Sequence, residues 1–441
     1  MNSLSDDFAV LTEHRRWRFV VFLMLYVAQG IPYGLLMIAL PAYMANQGVD
    51  ALAISAFLGI CMLPHAIKLI NGPVMDRWTY WPMGKRRPWV MMAQCLLVTT
   101  FASLALLPDP LANIGLLTAV CFTINFFVGF QDVATDGMAV DVLPLEDQPK
   151  GASIMFGGAT LAVAVAAAFG GWALSRYGLA VPSLVSAAAI GLISLFLVVS
   201  RERVGERLLP WTRGEATIDP HFKPPTGLLE IGRNLKRFLF LRASLFAIAA
   251  TAIYQFGRGI FLSMMPVYYV QELGWSDTAY SSLTGIAFMA GGGVSIVFGG
   301  MILHRLGRVR AYQVLCIAVA ALGSLLAALP WLAEIEFIMK AYRVVYMILD
   351  TLVLVAFIAI AMAICARQVA ATQFALYMGL GNVGYSLGSG AFGPMSTVLS
   401  YETVFMIFAA VTIVSMVIMR QVSVLAHTER LRLLQGADQH A

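Results

Sequence analysis

Charge is what this chain has least of. Only 12% of its 441 residues are Asp, Glu, Lys or Arg, against about 25% in an average soluble domain. With 60% hydrophobic residues, too few polar side chains remain to cover a soluble surface. A soluble enzyme, a disordered chain, a nucleic-acid binder and a collagen-like fibre are thereby excluded. Cysteine is sparse as well. Cys61, Cys95, Cys121, Cys316 and Cys365 stand far apart, with no CxxC or Cys/His spacing, so neither a disulfide framework nor a zinc site is expected. Six scattered histidines supply no converging ligand set, and the reading calls for no metal or cofactor. No Gly-x-x-x-x-Gly-Lys-Ser/Thr loop occurs, so ATP is not the expected energy source. The ten-residue alternation of outer-membrane strands is missing too.

What is present is a succession of apolar runs. They fall near 19–41, 51–71, 89–107, 112–138, 152–174, 179–199, 242–270, 279–303, 311–329, 335–364, 374–398 and 402–420. Each has the length of a bilayer-crossing helix. The spacing therefore predicts an all-α integral membrane protein with twelve transmembrane helices. The first run follows a polar stretch ending in Arg15, Arg16 and Arg18 and reaches about Pro41. That is too long for a signal-peptide core, so it reads as a retained span.

Basic residues orient the spans. Of 29 Lys and Arg, four (Lys68, Arg258, Lys340 and Arg343) lie within spans and Arg176 lies in a loop on the far side, which leaves 24 on the side of the N-terminus. The positive-inside rule makes both termini cytoplasmic. The expected organisation is an N-terminal six-helix half over 1–199, a cytoplasmic linker over 200–241, a C-terminal half over 242–420 and a cytoplasmic tail over 421–441. From Leu228 the linker's apolar residues recur near helical spacing, as an interfacial helix or an ordinary solvated linker would have them.

The halves echo one another. Pro41-Ala42-Tyr43 matches Pro266-Val267-Tyr268, Gly59-Ile60 matches Gly285-Ile286, and Gly72 with Asp76-Arg77 matches Gly300 with His304-Arg305. Three matches in order, at corresponding places in the span pattern, point to a duplicated six-span unit. Parallel six-span halves with a central site are an arrangement of secondary transporters.

The loop after the second run reads Gly72-Pro-Val-Met-Asp76-Arg77, then six residues, then Gly84-Lys85-Arg86-Arg87. Gly72 permits close helix approach, Asp76 can pair with a cation or cap a helix N-terminus, and the arginines offer two-point partners for carboxylates or phosphates. Such a cluster can hold one conformation shut and break in another. A purely topogenic basic loop is the simpler alternative.

These residues resemble the signature of the major facilitator superfamily. The longer insertion between Arg77 and Gly84 is similar to the branch of muropeptide permeases and acetyl-coenzyme A transporters. Gln29-Gly30-Ile31-Pro32, Gln131-Asp132-Val133-Ala134-Thr135-Asp136-Gly137 and Ala371-Thr372-Gln373-Phe374-Ala375-Leu376 resemble the same branch. The resemblance implies a major facilitator fold that alternates access by rocking two halves. It further implies that spans one, four, seven and ten line the cavity, so that Gln29, Asp132, Arg258, Arg343 and Asp350 face substrate.

Ionisable groups within spans are costly unless they face a cavity or a partner. Lys68 and Asp132 are expected to pair, in the proton pathway or as a structural ion pair. Asp132 is the expected proton carrier, since a buried carboxylate near a lysine can titrate when the pair breaks. Asp136 lies nearer the interface and is grouped with the gating residues Gly72, Asp76, Arg77, Arg86 and Arg87. Arg343 and Asp350 are seven residues apart on one helix face and are expected to pair. Arg258 is then left unmatched, which predicts an anionic substrate. His65 could shuttle protons or simply pack.

Two enzyme-like spacings, Gly379-x-Gly381-x-x-Gly384 and Gly384-x-Ser386-x-Gly388, need a preceding strand and lack one. Inside an apolar helix, small residues serve helix packing. The sequence thus predicts no enzyme but a monomeric, proton-coupled secondary transporter, among membrane lipids and without nucleic acid. Its substrate would be a polar, anionic small molecule, and the resemblance implies one of muropeptide type. A siderophore, a coenzyme A thioester or a non-transporting receptor role remain the alternatives. A bacterial inner membrane is the expected location.

Overall fold

Every apolar run is helical over nearly all of its described residues. In the computed structural model, which describes residues 9–67, 71, 74–75, 78, 80–144, 147–214, 239–365, 370–427 and 429–430, the helices are α1 (Arg15–Asn46), α2 (Ala51–Ile67), α3 (Arg87–Leu104), α4 (Ile114–Val142), α5 (Gln148–Tyr177) and α6 (Ala180–Val198). They continue as α7 (Arg242–Val267), α8 (Asp277–Leu306), α9 (Arg308–Ala328), α10 (Glu336–Ile364), α11 (Ala370–Ser396) and α12 (Tyr401–Met419). Among the described residues, nine helices are long and apolar enough to cross a membrane; α2, α3 and α11 bring the set to twelve. The extended backbone pairing among them is one isolated bridge, Val10 with Arg201. Lys68, Gly72, Asp76 and Arg77 lie outside the described residues, as do nearly all of the expected interfacial helix and the end of the tail.

Local chemistry sets the helix ends. The Asn113 side chain accepts from the Leu116 N–H at 3.0 Å, and the Ser400 hydroxyl accepts from Thr403 at 3.4 Å. Both satisfy N–H groups that a helix start leaves open. Gly307, at φ +78°, reverses the chain between α8 and α9 in a conformation that favours glycine. Two helices are locally underwound and widened. Tyr33–Ala39 within α1, between Pro32 and Pro41, and Tyr268–Glu272 after α7, next to Pro266, are π-helical. Proline removes an N–H from the regular ladder, and π turns gather at such places.

Contacts divide the chain into two compact units, interleaved in sequence. One comprises Met1–Val49, Ile70–Lys223 and Gly274–Met289; the other comprises Asp50–Leu69, Pro224–Leu273 and Ala290–Ala441. In the first, α1 lies against α5, where a side chain at Gly30 or Gly34 would strike the α5 backbone. Its core gathers Phe22, Leu25, Val90, Ala134, Met138 and Leu197. In the second, α11 packs along α7. Gly384 faces the Ala252 carbonyl and Gly388 faces that of Phe256, each too close for a Cβ. Those are the glycines of the enzyme-like spacings, and here they serve helix contact. On its other side α11 meets α2, with the Ser386 hydroxyl donating to the Gly59 carbonyl at 2.5 Å.

Candidate functional site

In the second unit, helical spacing on α7 brings Tyr254, Arg258 and Phe261 onto one face, and on α10 it does the same for Tyr342, Tyr346 and Asp350. Arg258 Nε donates to both carboxylate oxygens of Asp350, at 2.9 and 2.8 Å. The Tyr254 hydroxyl donates to Oδ1 of the same carboxylate at 2.9 Å. Arg258 lies over the Tyr385 ring from α11, 5.2 Å from its centroid, a favourable cation–π placement. Asp350 is fully buried and Arg258 nearly so. Phe261 stacks on Tyr346 with ring centroids 4.1 Å apart and meets Phe408 of α12 at 4.5 Å. This packed aromatic layer flanks the ion pair and keeps its surroundings apolar.

The expected pairing of Arg343 with Asp350 is therefore corrected. Asp350 is held by Arg258 and Tyr254, and Arg258 is not the unmatched cation. The i to i+7 spacing on α10 places Arg343 and Asp350 on one face, but two turns apart. The carboxylate instead meets a donor from the neighbouring helix at its own level. Arg343 is buried, with its guanidinium over the Tyr346 ring at 6.0 Å. Lys340, the remaining described cation of that region, pairs with Glu336 on an exposed helix turn.

The first unit carries two polar groupings. Along the α1–α4 seam, Arg18 Nη1 donates to the Val142 carbonyl at 2.9 Å, the Tyr26 hydroxyl donates to Asp136, and Gln131 Nε2 donates to the Leu25 carbonyl at 3.0 Å. Gln29 lies one turn beyond Leu25. Asp132 is half-buried on α4.

The second grouping ties Gly84–Arg87 to the segment after α6. The Glu202 carboxylate accepts the backbone N–H groups of Lys85, Arg86 and Arg87 at 3.0, 2.7 and 2.5 Å. It caps the N-terminus of α3, where open donors and the helix dipole both favour an anion. Glu206 in turn accepts from the N–H groups of Glu202 and Arg203, at 3.0 and 3.1 Å. Gly84, at φ +103°, leaves room for both carboxylates; a Cβ there would lie 2.8 Å from Glu202 Cδ. Arg87 is wholly buried and donates to the carbonyls of Leu197, Val198, Arg207 and Leu208. Lys85 and Arg86 reach Asp141 at 3.0 and 3.4 Å. Burial raises the pKa of Glu202 above the usual carboxylate range. Burial and the neighbouring Glu202 charge push that of Glu206 up to about 7.

Of the residues singled out in the sequence, the structure joins Arg258 to Asp350 and gathers Arg86 and Arg87 into the loop cluster. It sets Gln29 and Asp136 on the α1–α4 seam. Sequence reasoning missed Tyr254, Tyr385, Tyr26, Glu202 and Glu206. For Tyr254 a signal existed, since it stands one turn before Arg258. For Glu202 none did, because its partners are more than a hundred residues away. Among the described residues no group of three or more His, Cys, Asp or Glu is placed to hold a metal ion.

Comparison with known proteins bears on this architecture. The anhydromuropeptide permease of Escherichia coli K12 is 24% identical over 372 residues, covering 83% of this chain and 72% of the permease. An uncharacterised protein of Haemophilus influenzae is 29% identical over 114 residues, 26% of each chain. Among solved structures, a point mutant of the nucleoside transporter NupG superposes with a TM-score of 0.68 at 14% identity, covering 92% of this chain and all of that one. Unmutated NupG gives 0.62 at 15%, covering 91% and 98%. At such identities these likenesses establish the fold. The sequence profile of the Major Facilitator Superfamily matches residues 22–256 and 247–432. The chain belongs to the Major Facilitator Superfamily of multi-pass membrane transporters.

Proposed function

We propose that the protein is a proton-coupled secondary transporter of a polar, muropeptide-like molecule, and that Arg258 and Asp350 bind the proton and an anionic group of the substrate together. The buried Arg258–Asp350 contact carries this reading. A buried ion pair is neutral as a unit, and removing one partner strands the other at high cost. A proton on Asp350 frees the guanidinium, and a substrate carboxylate then completes it in the two-point manner that suits arginine. Proton and anion enter as a neutral set, so reorientation moves no uncompensated charge through the bilayer. Tyr254 holds Asp350 through one oxygen and fixes its orientation while the partner changes. An anionic substrate thus follows from exchange of partners, not from a vacant cation.

The sequence relation to an anhydromuropeptide permease supports the muropeptide class. Asp132 remains a second proton carrier in this scheme. Arg86 and Arg87 would act at the closing end of the first unit, together with Gly72, Asp76, Arg77 and Asp136. We place the chain in a bacterial inner membrane, working as a monomer among lipids with both termini cytoplasmic.

The test is uptake of labelled anhydromuropeptide into proteoliposomes, with and without an imposed proton gradient. Gradient-driven accumulation is expected in wild type. In Asp350→Asn accumulation is lost while exchange survives, since exchange needs loaded reorientation without proton release. Accumulation indifferent to the gradient would overturn proton coupling. Absence of both uptake and counterflow would overturn the muropeptide reading, and siderophores and coenzyme A thioesters would be tried next.

A further inference from the structure

The α1–α4 seam holds polar atoms that the ion-pair scheme does not use. The two helices run antiparallel, and their contacts pair Arg18 with Val142, Tyr26 with Asp136 and Leu25 with Gln131. That register carries Gln29 to the level of Gln131. Gln131 is fully buried, and Nε2 is committed to the Leu25 carbonyl at 3.0 Å. Its Oε1 is buried with no hydrogen-bond partner. Nε2 of Gln29 is buried and unpartnered too, as is the Thr135 hydroxyl one turn along α4 from Gln131. A buried donor and a buried acceptor, neither of them hydrogen-bonded, thus lie at one level of one seam. Buried polar groups are ordinarily paired, and those left open call for an explanation.

A partner for both atoms must donate and accept at once. Gln131 Oε1 needs a donor and Gln29 Nε2 needs an acceptor. A carboxylate supplies only acceptors, an ammonium only donors, and an ester no N–H. A hydroxyl supplies both from one oxygen, and a secondary amide supplies both from two atoms, a carbonyl and an N–H on opposite edges of one rigid plane. The backbone at Gln29 is well placed to hold its side chain in register, because Gly30 seats α1 against Ala159 and Ala162 of α5. Both glutamines open the two segments singled out in the sequence, Gln29–Pro32 and Gln131–Gly137.

We propose that Gln29 and Gln131 form an amide-reading subsite. The carbonyl of a substrate peptide or acylamino group accepts from Gln29 Nε2, and its N–H donates to Gln131 Oε1. This rests on the transport reading above and adds to it a neutral recognition element, separate from the Arg258–Asp350 pair.

The test uses the purified full-length chain and two probe pairs that differ only in N–H against O. One pair is N-acetylglucosamine and the matching 2-O-acetyl sugar; the other is N-methylacetamide and methyl acetate. Affinity is read by thermal stabilisation. Wild type should bind at least one amide about five- to tenfold more tightly than its ester, since the ester leaves Gln131 Oε1 unpaired. Gln131→Met, which conserves length, should bring that ratio to about one. Gln29→Met should weaken amide and ester alike, since both carbonyls accept from Nε2. A wild-type ratio near one for both pairs, or a ratio unchanged in Gln131→Met, overturns the proposal. Uptake of anhydromuropeptide is measured in parallel. Its failure with the amide preference intact would sink the transport reading and leave the subsite standing. Should Gln131→Met prove unstable, Gln131→Glu, which keeps the acceptor, serves instead: the amide preference should then persist, and its loss counts against the assignment.

Discussion

Arg87 and Glu202 are joined through the main chain. The carboxylate of Glu202 takes the Arg87 backbone N–H at 2.5 Å, while the Arg87 guanidinium reaches past it to the carbonyls of Leu197 and Val198 at the end of α6. The acid caps one helix start and the base caps one helix end, each complementing the dipole it meets. The pair therefore splices α3 to α6 more than it neutralises charge.

That geometry separates arginine from lysine. Arg87→Lys keeps the charge but cannot serve four carbonyls spread around a planar fork. At about 1 kcal/mol per lost bond, it should lower stability by about 2–3 kcal/mol. Thermal unfolding in detergent checks this, and Arg86→Lys, which keeps the charge and loses one long bond of 3.4 Å to Asp141, should cost about 1 kcal/mol by the same measurement.

Glu206 predicts a pH dependence. Its pKa stands at about 7 in the folded protein, above its ordinary 4.5. Between those values the folded state holds a proton that the unfolded state has released. Stability should therefore fall as pH rises from about 4.5 to 7 and level off above. Glu206→Gln keeps an acceptor for the N–H groups of Glu202 and Arg203. It should raise the melting temperature at pH 8 and change it little at pH 5. Equal shifts at both values would show that Glu206 does not titrate in this window.

For the buried pair on α7 and α10, truncating one side should be worse than removing both. Arg258→Leu strands the Asp350 carboxylate and should cost about 3–5 kcal/mol. Arg258→Leu with Asp350→Leu should recover most of that loss while abolishing gradient-driven uptake. A double variant no more stable than the single one would show that Tyr254 and Tyr385, not the charges, dominate the site.

Asp132 and Asp136 are distinguished by their neighbours. Tyr26 donates to Asp136, so Tyr26→Phe should perturb the α1–α4 seam and slow transport without changing its dependence on the proton gradient. Asp132→Asn should remove that dependence and leave exchange. Parallel pH profiles of uptake in the two variants separate a structural acid from a carrier.

The helices were legible because each apolar run is long and bounded by glycine, proline or charge, as α8 is by Gly307. The ionisable residues Arg258 and Asp350 were legible because charge inside an apolar run needs a reason. Their partnership was not. Spacing along one helix tells which residues share a face, and that favoured Arg343 with Asp350. The level at which α7 meets α10 is set by packing of Phe261 on Tyr346, which no local pattern reports. Glu202 was hidden for a related reason: a glutamate in a loop full of arginines looks like solvated charge until the fold brings three amides to it. Gln131 stood out only as part of a motif and Gln29 also as a cavity-facing residue, and their open amide atoms are visible only in three dimensions.

The π-wound stretch of α1, Tyr33–Ala39, has a mechanical corollary. A π turn stores one residue more than an α turn. Tightening it to α geometry would rotate everything beyond it by about 100° about the helix axis and lengthen the rod by about 1.5 Å. Pro32 and Pro41 bracket the slack, so the twist would be delivered to the Tyr43 end without unwinding the Gln29 turn. The wider coil is thus a torsional reserve, in which a small local rewinding re-aims a whole helix end.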